Sequence, residues 1–245
     1  MSFRYLDEIE SRLRGIKNRQ FRALTVAAEQ IAATIRNDGM IYVFGSGHSH
    51  MLGEELFYRA GGLANVRPLF VEPLMLHESG PRASALERTP GYAERFMTDL
   101  PLTPKDLMIV VSTSGRNPVP VDAAMISREK GAYVIAVTSM AYRAALSSRH
   151  PSGQHLSDAA DLVLDNEAPV GDAALSHKAL DTGFAPVSTI LGITLLQAVI
   201  AEATETLAEE GFDVPVFKSG NVDGADAHNE ALISRFKDRN PALTP

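Results

Sequence analysis

The chain is predicted to fold as a three-layer α/β/α sandwich around a flavodoxin-like parallel sheet of about five strands. Three observations predict it. Five short apolar runs punctuate the sequence: Met40 to Phe44, Val66 to Val71, Leu107 to Val111, Tyr133 to Val137 and Leu162 to Leu164. Four of these five are rich in Val, Ile or aromatic residues, which suit a buried pleated surface. Most are separated by helical stretches, the alternation expected of a parallel sheet covered on both faces. At 245 residues, 45% hydrophobic and 22% charged, the chain has the composition of an ordinary globular protein. One domain over 1–245 is expected, with its core at about 36–210.

In chain order, Leu6, Ile9, Leu13, Ile16, Leu24, Ala27, Ala28, Ile31 and Ile35 recur at three- and four-residue spacings, which predicts one long helix over 3–36. Asn37-Asp38-Gly39 stops it. After the first strand, FGSGHSHMLGEELFYRAGG (44–62) turns on Gly45 and Gly47 and starts a helix near Ser49. After the second, LHESGPRASALERTPGYAERF (76–96) is a polar stretch longer than a crossover needs, and is expected to be a functional loop. The third strand runs into STSGRNP (112–118), and a helix follows from Pro118 to Lys130. Beyond the fifth strand, 185–209 reads as a long, largely buried helix, and 214–240 opens irregularly and closes as a helix from about Ala225 to Lys237.

Composition excludes several functions. A net charge of −7 argues against a nucleic-acid surface, which needs clustered Lys and Arg. With zero cysteines there is no disulfide framework, thiolate metal site or cysteine nucleophile, which fits a reducing cytosol. The charged N-terminus and the absence of a run of eighteen apolar residues predict a soluble cytoplasmic protein without a membrane segment.

Two loops carry the chemistry. In doubly wound sheets, ligands bind beyond the carboxyl ends of strands. Ser112, Thr113 and Ser114 supply hydroxyls there, Gly115 allows close backbone approach, and Asn117 and Pro118 start a helix whose positive end points at the same spot. A single Ser-rich turn would be only a cap or turn. Two such loops on neighbouring strands point to a shared anionic ligand. No Gly-Lys-Ser/Thr follows the glycines, and Gly45, Gly47 and His50 break the G-x-G-x-x-G pattern, so no nucleotide cofactor is expected.

G-S-G-H-S with its Glu-Glu-Leu (45–56), and S-T-S-G-R-N-P with the K-G-A-Y-V-I-A-V-T that follows (112–138), resemble the sugar-isomerase (SIS) domain family. The similarity covers about 36–210. The first loop is closest to phosphoheptose isomerases. Ser-Gly-Arg-Asn-Pro, and more loosely 220–235, are closer to the muramic acid phosphate etherases. The resemblance implies a phosphorylated-sugar ligand, a homodimer or homotetramer with its site where subunits meet, Ser112, Thr113 and Ser114 on the phosphate, Asn117 at a position where a further serine is usual, and Ser46, Gly47 and His48 opposite. Metal-binding positions of the phosphoheptose isomerases fall on Glu55 and Arg59, and arginine is no metal ligand, so no metal centre is expected. His48, His50 and Glu54 could supply some ligands, but phosphate-binding or structural use fits them better.

Proton transfer needs carboxylates or histidines. Glu55 could reach a sugar or simply pair with Arg59 at i,i+4. The resemblance nominates Glu87 and Arg88 as sugar-lining, with His77 and Glu78 behind them, whereas Glu94 and Arg95 read as surface charges. His177 falls near a catalytic histidine of the phosphoheptose isomerases; His150 and His155 read as capping or surface residues. Asn221, Asp223, His228 and Asn229 could reach a neighbour's site or tie down the terminal helix. Expected, then, is a sugar-phosphate isomerase using Glu87, Glu55 or His177; a phosphosugar sensor or scaffold, or an ether lyase, is the alternative.

Overall fold

The computed structural model describes residues 3–244. Its order is α1 (Arg4–Arg19), α2 (Phe21–Arg36), β1 (Ile41–Gly45), α3 (His50–Leu56), β2 (Val66–Pro68), α4 (Leu76–Glu87), α5 (Glu94–Met97), β3 (Leu107–Val111), α6 (Pro118–Glu129), β4 (Tyr133–Thr138), α7 (Met140–Ala145), α8 (Leu156–Ala159), β5 (Leu162–Asp165), α9 (Ser188–Glu209) and α10 (Ala225–Phe236). Short 3-10 turns at Gly47–Ser49, Glu72–Leu74 and Pro241–Leu243 complete it.

All five strands are parallel, in the order β2-β1-β3-β4-β5. The chain therefore reverses its winding direction between β1 and β3, the switch point beyond whose carboxyl ends open parallel sheets form their ligand crevice. Gly45 pairs with Val111, so the loops that begin at Ser46 and Ser112 leave the sheet side by side.

Alternation along β3 divides the core. Leu107, Ile109 and Val111 pack with α2 and α9, while Met108 and Val110 pack with α6, Phe217 and Phe236 on the other face. All five β3 residues are buried, the signature of a central strand covered twice. By length and composition alone α9 could cross a membrane. Here Leu196, Val199, Ile200, Ala203 and Leu207 pack on α2 and the sheet.

The N-terminal helix is two helices, broken at Gln20. The Gln20 amide leaves the helical surface to bond the backbone of β5, donating to Asp165 O at 2.5 Å and accepting from Asp165 N at 2.8 Å. At the far side of the sheet the buried Asn240 amide donates to Val66 O on β2 at 2.9 Å. The second strand is shorter than its apolar run, ending at Pro68, whose ring removes a ladder donor. The polar stretch 76–96 is largely helical: α4 is kinked at Ser79, just before Pro81, and α5 follows. α9 starts at Ser188 rather than 185, because Ala185 is left-handed and Pro186 lacks an N–H. α7 and α8, absent from the sequence reading, fill the β4–β5 crossover.

Candidate functional site

The loop after β3 is built from its own hydroxyls. Ser112 N bonds Val137 O at 3.0 Å and Ser139 N bonds Thr113 O at 2.9 Å, prolonging the β3–β4 ladder past the end of β3. The chain then reverses at Gly115, where Ser112 Oγ accepts from Gly115 N at 3.2 Å. Gly115 has a φ of 58°, and a Cβ there would stand 2.5 Å from Thr138 Oγ1. Only glycine fits. Thr113 Oγ1 accepts from Asn166 Nδ2 at 3.3 Å, linking the ends of β3 and β5. Ser114 is different: its half-buried hydroxyl makes no hydrogen bond among the described residues.

The loop after β1 supplies the facing side. Ser46 is buried, and its hydroxyl too is unengaged among the described residues, while Ser46 O accepts from Ser49 N at 3.1 Å. Gly47 is left-handed, with a φ of 56°. His48 is exposed and borders a cavity of about 540 Å³ together with Tyr5, Asp172, Pro186 and Ile190. His50 is buried, its Nδ1 against Gly47 O and its Nε2 3.5 Å from Glu54. It braces the turn. Among the described residues no three His, Asp or Glu side chains are grouped to hold a metal ion.

Asn117 precedes α6 as expected, but its side chain does not cap the helix. Nδ2 donates to Glu87 Oε1 at 3.0 Å, and Oδ1 accepts from Arg149 Nη1 at 3.1 Å. The amide thus bridges the end of α4 to the β4–β5 crossover, at the position the family resemblance implies for a ligand contact. Of the first three positions of α6 only Val119 carries an N–H, since Pro118 and Pro120 do not. Loop amides and hydroxyls, more than the helix end, are the donors available to an anion.

Asp122, one turn into α6, fixes both neighbours of this bridge. Its Oδ2 accepts from Gly91 N at 3.1 Å, and its Oδ1 lies 2.8 Å from His150 Nε2. His150 is neither a cap nor a surface residue; it is held between Asp122 and Ser152. His155 stands at the N-cap position of α8, but its buried ring reaches back to Leu146 O at 2.9 Å, and it is the backbone N that bonds Asp158 Oδ2, at 2.8 Å. Arg149 N also bonds Arg116 O at 2.8 Å. Arg149 is exposed, yet partial desolvation of its guanidinium, and then the like charges of Arg116 and Arg88, pull it below its ordinary pKa, while Glu87 acts in the opposite sense. Arg149 was invisible in the sequence because 146–155 shows neither periodicity nor a motif. Arg116 lies within the loop motif, and the resemblance implies no separate role for it.

The remaining candidates separate. Glu55 is ion-paired to Arg59 and accepts from Gln197 Nε2 at 3.4 Å. Arg88 is exposed beside Glu87, as are His77, Glu78, Glu94 and Arg95, the last stacked over Tyr92. His177 is exposed on the segment between β5 and α9, its Nδ1 3.2 Å from Ala179 N. His228 bonds Val216 O at 2.9 Å, and the Asn229 amide pairs with both backbone groups of Lys218, so these two fasten the irregular segment to α10. Asn221 and Asp223 are exposed.

A family model described as the SIS domain matches residues 4–139. A UPF0309 protein of Listeria monocytogenes serotype 4b is 51% identical over 239 residues, covering 98% of this chain and 97% of the relative. One from Brucella anthropi is 42% identical over 240 residues, covering 98% of each. Among solved structures, a phosphoheptose isomerase from Francisella tularensis superposes with a TM-score of 0.51 at 18% identity, over 82% of this chain and 95% of that one. The Vibrio vulnificus NanR protein complexed with ManNAc-6P does so at 0.50 and 16% identity, over 94% and 67%. At such identities the likeness shows the fold. Matched over more than half its length by the one model and over nearly all of it by these relatives, the chain belongs to the SIS-domain family and, within it, to the UPF0309 proteins.

Proposed function

We propose that the protein binds a phosphorylated sugar in the β1–β3 crevice and isomerises it by general acid–base proton transfer, with Glu87 as the proton carrier. The observation that carries this is the pair of unengaged hydroxyls, Ser46 and Ser114, at the ends of adjacent strands, with the Glu87 carboxylate held by Asn117 three residues beyond Ser114. The hydroxyls and loop amides take the phosphate oxygens. Glu87 takes a proton from the carbon beside the sugar carbonyl, giving an enediol, and returns it to the former carbonyl carbon. The companion proton passes between the two oxygens. A positioned carboxylate contributes about 10²–10⁴-fold to such a step. The Arg59 ion pair makes Glu55 a weaker candidate, and His177 would need the site of a neighbouring copy.

That ion pair also favours a second reading, a phosphosugar sensor without turnover. The deciding test is proton NMR of pentose, hexose, heptose and amino-sugar phosphates incubated with the protein in heavy water. Isomerisation puts deuterium beside the carbonyl of one of them, and Glu87→Gln abolishes exchange while keeping binding. Binding without exchange by the wild-type protein supports the sensor.

A further inference from the structure

Three guanidinium groups border the crevice with too little negative charge to match them. Arg116 belongs to the Ser-rich loop, Arg149 is bonded to Asn117, and Arg88 follows the Glu87 that Asn117 also holds. They are close enough for Arg88 and Arg116 to depress the Arg149 pKa, yet none of the three forms an ion pair among the described residues. Glu87 is the one carboxylate acting on Arg149.

Their hydrogen bonding is equally incomplete. A guanidinium offers five N–H donors in a planar fork. Arg149 gives its side-chain bond to Asn117 Oδ1, Arg116 gives Nε to Ser147 O at 3.0 Å, and Arg88 has no side-chain bond among the described residues. Clustered like charges repel at short range, and a planar fork is the geometry that matches carboxylate or phosphate oxygens. The loop hydroxyls and amides, moreover, are donors separate from these guanidinium groups and are taken by one phosphate in the reading above.

We infer that the ligand carries a second anionic group besides its phosphate, a carboxylate or a further phosphate, and that Arg88, Arg116 and Arg149 recognise it. This rests on the phosphosugar reading above and narrows it to doubly anionic sugars. Asn117 then has one function at both ends: it holds the proton carrier with its amide N–H and the second-anion reader with its carbonyl.

The test is calorimetric binding at fixed ionic strength of four probes: inorganic phosphate, glucose 6-phosphate, 6-phosphogluconate, which adds a carboxylate, and glucose 1,6-bisphosphate, which adds a phosphate. One of the last two is expected to bind about tenfold or more tighter than glucose 6-phosphate; which one tells carboxylate from phosphate. Arg149→Gln and, separately, Arg88→Gln should shrink that ratio to about threefold or less and leave inorganic phosphate nearly unchanged, whereas Ser114→Ala weakens all four. Arg88 is exposed and makes no structural bond, so its variant reports even if Arg149→Gln disturbs the fold. Equal binding of the three sugars overturns this inference and leaves the phosphosugar reading standing. So does loss of inorganic phosphate in the arginine variants as deep as in Ser114→Ala, which would make the arginines part of a single phosphate site. If no phosphorylated probe binds, both readings fall.

Discussion

Two long connections leave the carboxyl edge of the sheet, one after β2 (69–106) and one after β5 (166–187), and each brings a candidate proton carrier. Their fates differ. The first folds into α4 and α5 and is fixed along α6, through Glu87 to Asn117, through Gly91 N to Asp122, and through Thr98 O and Leu100 O to Lys130 Nζ. The second is fastened mainly at its ends. Asn166 bonds Thr113, and Asp172 accepts from Val187 N at 3.0 Å and Ser188 N at 2.9 Å, capping α9 from 16 residues away. Its middle, with His177 and Leu180, stays exposed. What brings a side chain to a crevice is a partner waiting on the other wall, and of Glu87 and His177 only Glu87 has one among the described residues.

The largest effect that would break this contrast comes from Glu87→Gln. We expect kcat to fall by about 10²–10⁴-fold with ligand binding kept; a loss under tenfold would move the chemistry elsewhere. Next is Gly115→Ala, which removes the floor both connections share. A left-handed non-glycine residue costs on the order of 1–3 kcal/mol, and displacing Thr138 adds to it. The expected result is a lower urea midpoint together with lost phosphate binding; an unchanged midpoint would mean that the loop is not held by that contact. Asp172→Ala sharpens the comparison from the other side. Removing a helix-capping carboxylate costs about 1 kcal/mol, seen in thermal unfolding, and turnover should persist. The smallest effect is that of His177→Ala, expected within about twofold in kcat/KM. A tenfold loss there would show that the second connection reaches the site of another copy and would end the contrast.

The layered fold was legible because buried parallel strands announce themselves as short Val/Ile-rich runs and the helices between them by period. Strand order was not, since nothing local in β2 says that it lies outside β1. The break at Gln20 was hidden because the apolar spacing continues across it, and the reason for the break, the backbone of β5, lies 145 residues away. Ser112 to Ser114 could be read from the sequence, but their division of labour could not: two hydroxyls shape the loop and the third is unengaged among the described residues. Asn117 shows the limit most clearly. Its type and place suit a helix cap, yet Glu87 and Arg149, both remote in sequence, claim its side chain.

The amides of Gln20 and Asn240 have one more consequence. They occupy outward-facing backbone groups on β5 and β2, the two outer strands of the sheet. An open strand margin is a template on which another chain can add itself, the route to runaway polymers. Here each margin is interrupted by a side chain imitating a strand. A further strand could pair there only by first displacing those amides from Asp165 and Val66.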